Sequence, residues 1–311
     1  MTDAPLRLGM IGTGRFAASV AARIGTSPDV TLAGVLSRDA GRAAALAGRH
    51  GARGFTDLAE MTPHVDAAYV CGATGRHVAD AIACVRAGLP TLCEKPMGTE
   101  AGGVARALDA ARTAGVLLVE AYWVCHLPAW QAVRARLAAG AIGRPLALRA
   151  DLSRDMPRAA YPRVWGPDDG ALRDLGVYPV CLAAWLLGPA RLTAAEVAWR
   201  DGVDAAARLV LAHERGAVST LTLGFLGDGP LDAEVTGEDG ALRLGPPILG
   251  SEAFTDADGT HARPVGADRY HPQFAHFAGL VRAGATESPI VPHALSRNVA
   301  EVVEAARAWR A

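Results

Sequence analysis

One lysine stands alone in this sequence and is the first candidate for chemistry. Of the 31 basic side chains, all except Lys95 are arginines. An arginine guanidinium stays protonated at any accessible pH, whereas a lysine amine can exchange a proton and change its pKa. A chain that uses arginine wherever a surface cation suffices predicts that Lys95 performs a task that arginine cannot. The alternative is a lysine that survived by chance, which would stand anywhere in the chain.

A glycine-rich segment near the N-terminus has the spacing of a dinucleotide-binding turn. Residues 12–17 read Gly-Thr-Gly-Arg-Phe-Ala and directly follow an apolar run. In the pattern G-x-G-x-x-A the first glycine permits the tight turn, the second lets a pyrophosphate approach the backbone, and the alanine lets helix and strand pack closely. The N-terminus of the next helix supplies amide donors to phosphates. The segment predicts a cofactor site that includes Gly12, Gly14, Arg15 and Phe16.

The residues after the second predicted strand indicate which dinucleotide is bound. NAD enzymes usually have Asp or Glu at this position for the ribose 2′-hydroxyl, but this chain has Ser37 and Arg38. A hydroxyl beside a guanidinium suits a 2′-phosphate, which arginine binds through two parallel hydrogen bonds. The sequence therefore predicts NADP rather than NAD. Two alternatives stay open: that Asp39 is the ribose ligand, and that Arg38 is a solvated residue at a helix start.

A parallel sheet is needed to bring these residues together. Up to about residue 120, short apolar runs alternate with amphipathic stretches, which is typical of βαβ units. Lys95 then follows a strand at its C-terminal end, where open parallel sheets bind ligands. The predicted strands are 6–12, 31–36, 67–71, 91–93 and 117–120, and the predicted helices are 16–25, 40–51, 76–88 and 100–115.

The pattern changes after residue 145 to short strands and tight turns, which indicate an antiparallel or mixed sheet. The predicted fold class is α/β, with a Rossmann domain over residues 1–120 and an α/β substrate-binding and oligomerisation domain over residues 121–311. The second domain is expected to hold a large, mostly antiparallel, open-faced sheet, and its last helix could pack back on the Rossmann domain. Its predicted strands are 146–152, 194–199, 208–214, 218–225, 232–236 and 241–244, and its predicted helices are 170–187, 272–283 and 293–309.

Charge and cysteine content exclude several classes of partner and site. The formal net charge is -1 and the arginines are scattered, so no nucleic acid or membrane partner is expected. The five cysteines are odd in number and lack C-x-x-C spacing, which favours a reducing cytoplasm and argues against disulfides and a metal site. The N-terminus lacks the pattern of a signal peptide, and the longest uncharged run, 175–190, is too short to span a bilayer.

Three further motifs follow the glycine-rich turn along the chain. They read Glu-Lys-Pro at 94–96, Asp-Leu-Gly-Val-Tyr-Pro at 174–179 and Tyr-His-Pro-Gln-Phe at 270–274. In order and approximate spacing they resemble the Gfo/Idh/MocA family, named after glucose–fructose oxidoreductase, inositol dehydrogenase and a rhizopine catabolism protein. Residues 37–39, 120–123 and 176–178 are most similar to the branch that contains dimeric dihydrodiol dehydrogenase and NADP-dependent xylose dehydrogenase.

The resemblance implies that a hydroxyl and a carbonyl are interconverted by hydride transfer between the substrate carbon and the cofactor, with Lys95, Asp174 and Tyr178 at the catalytic site. Reduction by hydride leaves an alkoxide that must gain a proton, and oxidation requires the reverse. The Tyr178 phenol could carry that proton, and a nearby Lys95 ammonium would favour its phenolate form. Lys95 could instead donate the proton itself, and Asp174 could hold a substrate hydroxyl or orient Lys95. If this segment is helical, the spacing of four puts Asp174 and Tyr178 on one face.

The resemblance implies further binding residues and a substrate class. Gly72, His77 and Glu94 would join Lys95 in the cofactor site, and Trp123 and His126 would line the substrate pocket with Asp174. An aromatic at 123 could equally serve packing. The implied substrate is a small molecule, namely a sugar, polyol or diol. Two alternatives stay open: a sugar-nucleotide ketoreductase, which residues 125–128 resemble, and a regulator that binds the cofactor without catalysis.

The second sheet also predicts self-association. An antiparallel sheet covered by helices on one face leaves the other face open. Its outer face is expected to be partly apolar and to bury against another subunit. The family resemblance likewise implies a homodimer or homotetramer built through this sheet. The residues assigned to the outer face are Leu209, Leu211, Val218, Thr220 and Thr222.

Overall fold

The computed structural model describes residues 4–166 and 168–309. Within them the chain forms two compact units. The first runs from the N-terminal side to Trp123 and takes in Ala267–His293, and the second comprises Val124–Gly266 and the residues from Ala294 onward. None of the helices in the described part of the chain has the length and apolar character needed to cross a bilayer.

A parallel sheet of six strands forms the core of the first unit, in the order β3-β2-β1-β4-β5-β6. This is the strand order of the dinucleotide-binding Rossmann fold. The central strands are buried on both faces, which explains why they read as continuous apolar runs. The strands are β1 (Leu6–Ile11), β2 (Val30–Leu36), β3 (Arg53–Phe55), β4 (Ala67–Val70), β5 (Thr91–Cys93) and β6 (Leu118–Glu120).

A sheet of eight strands forms the second unit, in the order β14-β13-β12-β11-β7-β10-β9-β8. Neighbouring strands run antiparallel except for β7 and β10, which are parallel. The strands are β7 (Pro145–Ser153), β8 (Ala190–Arg200), β9 (Val203–His213), β10 (Val218–Gly224), β11 (Ala233–Gly237), β12 (Ala241–Leu244), β13 (Ala253–Asp256) and β14 (Gly259–Ala262).

Helices connect the strands of both units. In the first unit, the Asp39 carboxylate caps one of them by accepting the Arg42 N–H, and Gly115 ends another with φ +66°. The helices are α1 (Arg15–Ile24), α2 (Ala40–Gly48), α3 (Leu58–Met61), α4 (His77–Arg86), α5 (Ala101–Ala114), α6 (Pro128–Ala138), α7 (Val177–Leu187), α8 (His271–Arg282) and α9 (His293–Ala308).

The predicted α/β fold class is confirmed, with a parallel Rossmann sheet followed by a mostly antiparallel one. The observed units differ from the predicted division at residue 120 in the placement of one helix. Helix α8 belongs to the first unit, where Phe274 packs edge-on against Tyr69 of β4. Helix α9 lies almost entirely in the second unit, where Asn298 bonds both backbone polar groups of Ala190.

The prediction for the outer face of the second sheet was wrong for two residues. Leu209 and Leu211 are fully buried, because they lie on the face that carries the core. In the register of β10 with β9, Thr220 pairs directly with Val210, so Val210 shares the outer face with Thr220. Val218 is 43% exposed, and it belongs to that outer face together with Thr222.

Candidate active site

The turn between β1 and α1 has the geometry that the glycine pattern predicts. Gly12 has φ +126°, and a Cβ at this position would lie 2.8 Å from the Cα of Gly72. At Gly14, the N-cap of α1, an added Cβ would meet no atom within 4 Å. The first glycine is therefore required by the protein itself, whereas the second leaves open space above the helix N-terminus, where Arg15 and Phe16 follow. That space fits a pyrophosphate.

The end of β2 lies beside this turn because β2 is the neighbour of β1. The Ser37 hydroxyl lies 3.4 Å from the hydroxyl of Thr13 and accepts the Asp39 N–H at 3.2 Å. Asp39 serves as the N-cap of α2, and the backbone N–H of Arg42 holds the pKa of its carboxyl below the usual range. Arg38 is exposed, and its side chain makes no hydrogen bond or ion pair with the described residues. Arg38 is thus available to an anion.

Buried side chains fix the backbone of the loop that carries Lys95. The Lys95 N–H donates to Glu94 Oε2 at 3.2 Å, and the Met97 N–H donates to Glu120 Oε1 at 2.7 Å. The carbonyl oxygen of Pro96 lies 2.9 Å from His77 Nδ1. Lys95 itself is half-buried at the C-terminal end of β5. The sole lysine is therefore presented from a rigid loop at the edge of the sheet where ligands bind.

His77 joins two loops of this edge. One ring nitrogen contacts the carbonyl of Pro96 after β5, and the other lies 3.3 Å from the carbonyl of Gly72 after β4. The ring is buried, and burial lowers the pKa of His77. That His77 and Gly72 contact the cofactor stays a prediction. The structure gives His77 a second task, since it ties the Gly72 loop to the Lys95 loop.

An aromatic cluster follows β6 in the first unit. The Trp123 ring stacks on Tyr270 at 5.3 Å between centroids, and the Arg269 guanidinium lies 5.6 Å from the Trp123 ring centroid. Trp123 is only 4% exposed. Packing thus accounts for this tryptophan within its own unit, and its predicted contact with substrate stays a prediction.

In the second unit, Asp174 lies in a π-helical turn, Leu172–Gly176, that runs into α7. Tyr178 is the second residue of α7 and is buried, whereas Asp174 is half-buried. The segment is helical, but it changes from π to α between these two residues. Single π turns inside helices occur frequently at functional sites. This turn is the second candidate element for chemistry.

A buried ion pair supports the start of this π turn. Asp204 of β9 is fully buried, accepts the Leu172 N–H at 2.7 Å and pairs with Arg307 of α9. The same carboxylate occupies the space where a Cβ of Gly170 would stand, and Gly170 has φ +112°. The Gly170 carbonyl in turn accepts the Asp174 N–H at 2.9 Å. Burial raises the pKa of Asp204 despite its hydrogen bonds.

His126 lies in the short 3-10 helix that precedes α6, and it is buried. The neighbouring Cys125 thiol lies 3.6 Å from the Cys181 thiol of α7, and Gln131 donates to the Cys125 carbonyl at 2.5 Å. His126 is therefore held near α7, the helix that carries Tyr178, within the second unit. Its predicted contact with substrate stays a prediction.

Sequence reasoning missed the side chains that position the candidate residues. The Tyr69 hydroxyl donates to the Glu94 carboxylate, and the Glu120 carboxylate accepts the backbone N–H of Met97. The Asp204 carboxylate accepts the backbone N–H at the start of the π turn. A phenol within the fully buried strand β4 was a usable signal, since a buried hydroxyl needs a partner. The described residues contain no group of three or more His, Cys, Asp or Glu side chains placed to hold a metal ion. Each of the five cysteines is a buried thiol.

A Rossmann sheet with this glycine turn defines the first unit as a dinucleotide-binding domain. Residues 6–122 match the family described as an oxidoreductase family with an NAD-binding Rossmann fold, and residues 130–243 match the Gfo/Idh/MocA C-terminal domain. The chain belongs to the Gfo/Idh/MocA family, which confirms the resemblance seen in the sequence.

Several relatives match over most of the chain. Inositol 2-dehydrogenase 2 of Saccharopolyspora erythraea is 33% identical over 86% of this chain and 80% of its own length. The mouse trans-1,2-dihydrobenzene-1,2-diol dehydrogenase is 28% identical over 97% and 96%. KijD10, a 3-ketoreductase from Actinomadura kijaniata, has a solved structure with a TM-score of 0.83, 26% identity and coverage of 98% and 97%. Aldose-aldose oxidoreductase from Caulobacter crescentus, at 20% identity and a TM-score of 0.85, shares the fold.

Substituting the two glycines separately tests the cofactor turn. Gly12→Ala should lower both the melting temperature and cofactor affinity, because its Cβ would collide with the Gly72 backbone. Gly14→Ala should retain the wild-type melting temperature and lose affinity only, since its Cβ would enter open space that the phosphates need. Calorimetry and fluorescence titration with NADPH would measure these effects. Full cofactor affinity in Gly14→Ala would contradict the assignment.

Proposed function

We propose that this chain is an NADP-dependent oxidoreductase that interconverts a hydroxyl and a carbonyl on a sugar, polyol or diol. The observation that carries the proposal is the fixed loop of Lys95 at the end of β5, on the same sheet edge as the glycine turn. The loop presents the only ε-amine of the chain where a bound nicotinamide is expected. A group that transfers protons there suits alcohol and carbonyl chemistry.

The proposed roles of the residues follow from the atoms they offer. NADP supplies or accepts the hydride when bound. Lys95 and Tyr178 serve proton transfer: the hydroxyl proton is carried by the Tyr178 phenol or by the Lys95 ammonium, which also polarises the substrate oxygen. Asp174 accepts a hydrogen bond from a substrate hydroxyl. Within its own unit, Tyr178 is kept in place by the turn that Asp204 anchors.

The names of the relatives support a polyhydroxylated or diol substrate. The mouse relative acts on a dihydrobenzene diol and the Saccharopolyspora erythraea relative on inositol, as their names state. Both substrates present adjacent hydroxyl groups on a ring. We therefore propose a cyclic or sugar-like compound with vicinal hydroxyls, to be identified by a spectrophotometric screen at 340 nm.

A sugar-nucleotide ketoreductase is the second candidate, favoured by the likeness to KijD10, whose structure contains NADP and TDP-benzene. Such an enzyme would need room for a nucleoside diphosphate beside the sugar. Competition by dTDP against turnover of the best free sugar would decide between the two. Inhibition by dTDP at micromolar concentration would favour the sugar-nucleotide candidate.

NADP rather than NAD is proposed on the basis of Ser37 and Arg38. A charge-assisted hydrogen bond is worth roughly 1.5–3 kcal/mol, so NADPH should bind about 10- to 150-fold more tightly than NADH. Arg38→Ala should remove most of this preference, whereas Arg49→Ala, an exposed arginine at the other end of α2, should preserve it. Fluorescence titration would measure both affinities. Equal wild-type affinities would refute the assignment.

Replacing Lys95 by arginine tests its role in proton transfer. The guanidinium keeps the positive charge, but it cannot give up its proton near neutral pH and is not a compact ammonium. Loss of an acid–base group typically costs about 10² to 10⁴ in rate, so Lys95→Arg should lose turnover in that range while still binding cofactor. Lys95→Met should be impaired at least as much. Steady-state kinetics with parallel cofactor titration would separate the two effects, and near-normal turnover in Lys95→Arg would contradict the mechanism.

We further propose a homodimer or homotetramer that uses the outer face of the second sheet. That face carries Val218, Thr220 and Thr222 of β10 beside Val210 of β9, and exposed apolar faces of this kind commonly bury against a partner. Light scattering at micromolar concentration should give a multiple of 32.1 kDa. Val218→Glu should shift the mass toward the monomer, and a monomeric wild type would exclude this assembly.

We also propose a cytoplasmic location. The five buried free thiols support it, because free cysteines are typical of proteins in a reducing compartment.

A further inference from the structure

The Glu94 side chain is enclosed beneath the loop that carries Lys95. It is 3% exposed, and its Oε1 accepts the hydroxyl of Tyr69, a fully buried residue of β4. Its Oε2 accepts the backbone N–H of Lys95 at 3.2 Å. Strands β4 and β5 are neighbours, so the phenol reaches the carboxyl across one strand spacing. Each carboxyl oxygen thus has a donor from the protein.

A carboxyl at this place is costly, because burial disfavours its charged form. Burial raises the pKa of Glu94 to about 7, although the Tyr69 hydrogen bond and the Lys95 charge act in the opposite direction. A glutamine would fill the same volume without the cost of a charge. A group that ionises near neutral pH has therefore been placed within electrostatic range of the sole lysine.

The groups that face Glu94 stay neutral while it titrates. Burial raises the pKa of the Tyr69 phenol and of the Cys71 and Cys93 thiols well above their ordinary values. The Glu94 charge adds to each of these shifts. Among these four side chains, Glu94 is accordingly the one whose charge changes near pH 7.

Other ionisable groups pack around the same loop at one remove. The electrostatic effect of Tyr270 raises the pKa of Tyr69, and that of Glu120 of β6 raises the pKa of Cys93. His77 of α4 lies within the range of the Lys95 charge, and burial lowers its pKa below 6.5. Burial therefore shifts the titration of His77 to lower pH, in the direction away from that of Glu94.

We propose that Glu94, fixed by the Tyr69 phenol, is the positioning residue of Lys95: its ionised carboxylate holds the Lys95 backbone N–H, and through it the orientation of the side chain used for turnover. The proposal rests on the function assigned above to Lys95. When Glu94 gains a proton, the charge that strengthens its bond to the Lys95 backbone N–H and acts on the nearby ammonium is lost. Turnover should then decline as the pH falls below neutrality, because the buried Glu94 carboxylate becomes protonated.

The sole lysine offers a direct readout that needs no substrate. Protein labelled with ¹³C-lysine gives one lysine side-chain signal, whose chemical shift should follow the charge of Glu94. The wild type should show a step near pH 7, and Glu94→Gln should lack it. In Tyr69→Phe the step should move to higher pH, because a hydrogen bond that lowers the pKa of Glu94 is lost. Tyr161→Phe, at a 42% exposed tyrosine, should leave it unchanged.

Thermal stability gives a second readout. The folded pKa of Glu94, about 7, lies above its ordinary value of 4.5, so the folded chain binds this proton more tightly than the unfolded chain. The stabilisation is complete below pH 4.5 and is lost as pH rises through 7. The melting temperature of the wild type, measured relative to that of Glu94→Gln, should therefore decrease as the pH rises from 5 to 8.

Turnover supplies the third readout. Glu94→Gln should lower kcat about 10- to 100-fold through misplacement of Lys95, leave KM near the wild-type value and remove the acid limb of the pH profile. A wild-type lysine signal without a step near pH 7, or a step that persists in Glu94→Gln, would overturn the proposal, as would an unchanged kcat and pH profile. If Glu94→Gln does not fold, the shift of the step in Tyr69→Phe decides. A protein without turnover whose step depends on Glu94 would refute the proposed function while supporting this coupling.

Discussion

The attachment of the Lys95 loop to buried side chains is the constraint on which the candidate site depends. A backbone N–H or carbonyl that is withdrawn from water must find a partner, and leaving one unpaired costs about 1–3 kcal/mol. Here the partners are Glu94, Glu120 and His77, which come from the end of β5, from β6 and from α4. The lysine can therefore shift only if three elements shift with it. Since His77 also contacts the Gly72 carbonyl, and Gly12 lies against Gly72, the cofactor turn belongs to the same network.

In the second unit, a buried ion pair fixes the backbone of the π turn. Asp204 gives one oxygen to the first residue of the π turn and the other to Arg307. A carboxylate removed from water is tolerated when a guanidinium and a backbone N–H share it. In each unit, a buried acidic side chain thus sets the position of a backbone segment, and that segment presents a candidate catalytic group, Lys95 in one case and Asp174 in the other.

Much of the Rossmann half could be predicted, because its strands are continuous apolar runs and its motifs are local. The G-x-G-x-x-A turn was placed correctly since the strand, the turn and the helix are consecutive. The strands β3, β13 and β14 were missed, as were the four-residue helix α3 and the longer α6. The first three are short, at 3, 4 and 4 residues, and α6 has apolar residues that follow no clear helical stripe.

What could not be predicted depends on distant partners or on register. Tyr69 meets Glu94 across 25 residues of sequence and Arg307 meets Asp204 across 103, so no local pattern announces either pair. The run Leu209–Ala212 is apolar throughout, and alternation alone cannot tell which of its residues face inward. Pairing with β10 settles this, since Val210 stands opposite Thr220.

The return of α8 to the first unit has a consequence for synthesis on the ribosome. Residues up to 123 emerge first, but Phe274, which covers Tyr69, and Asp268, which pairs with Arg23, emerge about half a chain later. Translation at 5–20 residues per second separates these events by roughly 7 to 30 seconds. During that interval the nascent Rossmann unit exposes the apolar surface that α8 later covers. An N-terminal fragment that ends at 123 should therefore be a client of chaperones, whereas a fusion of residues 4–123 to 267–293 restores its missing helix.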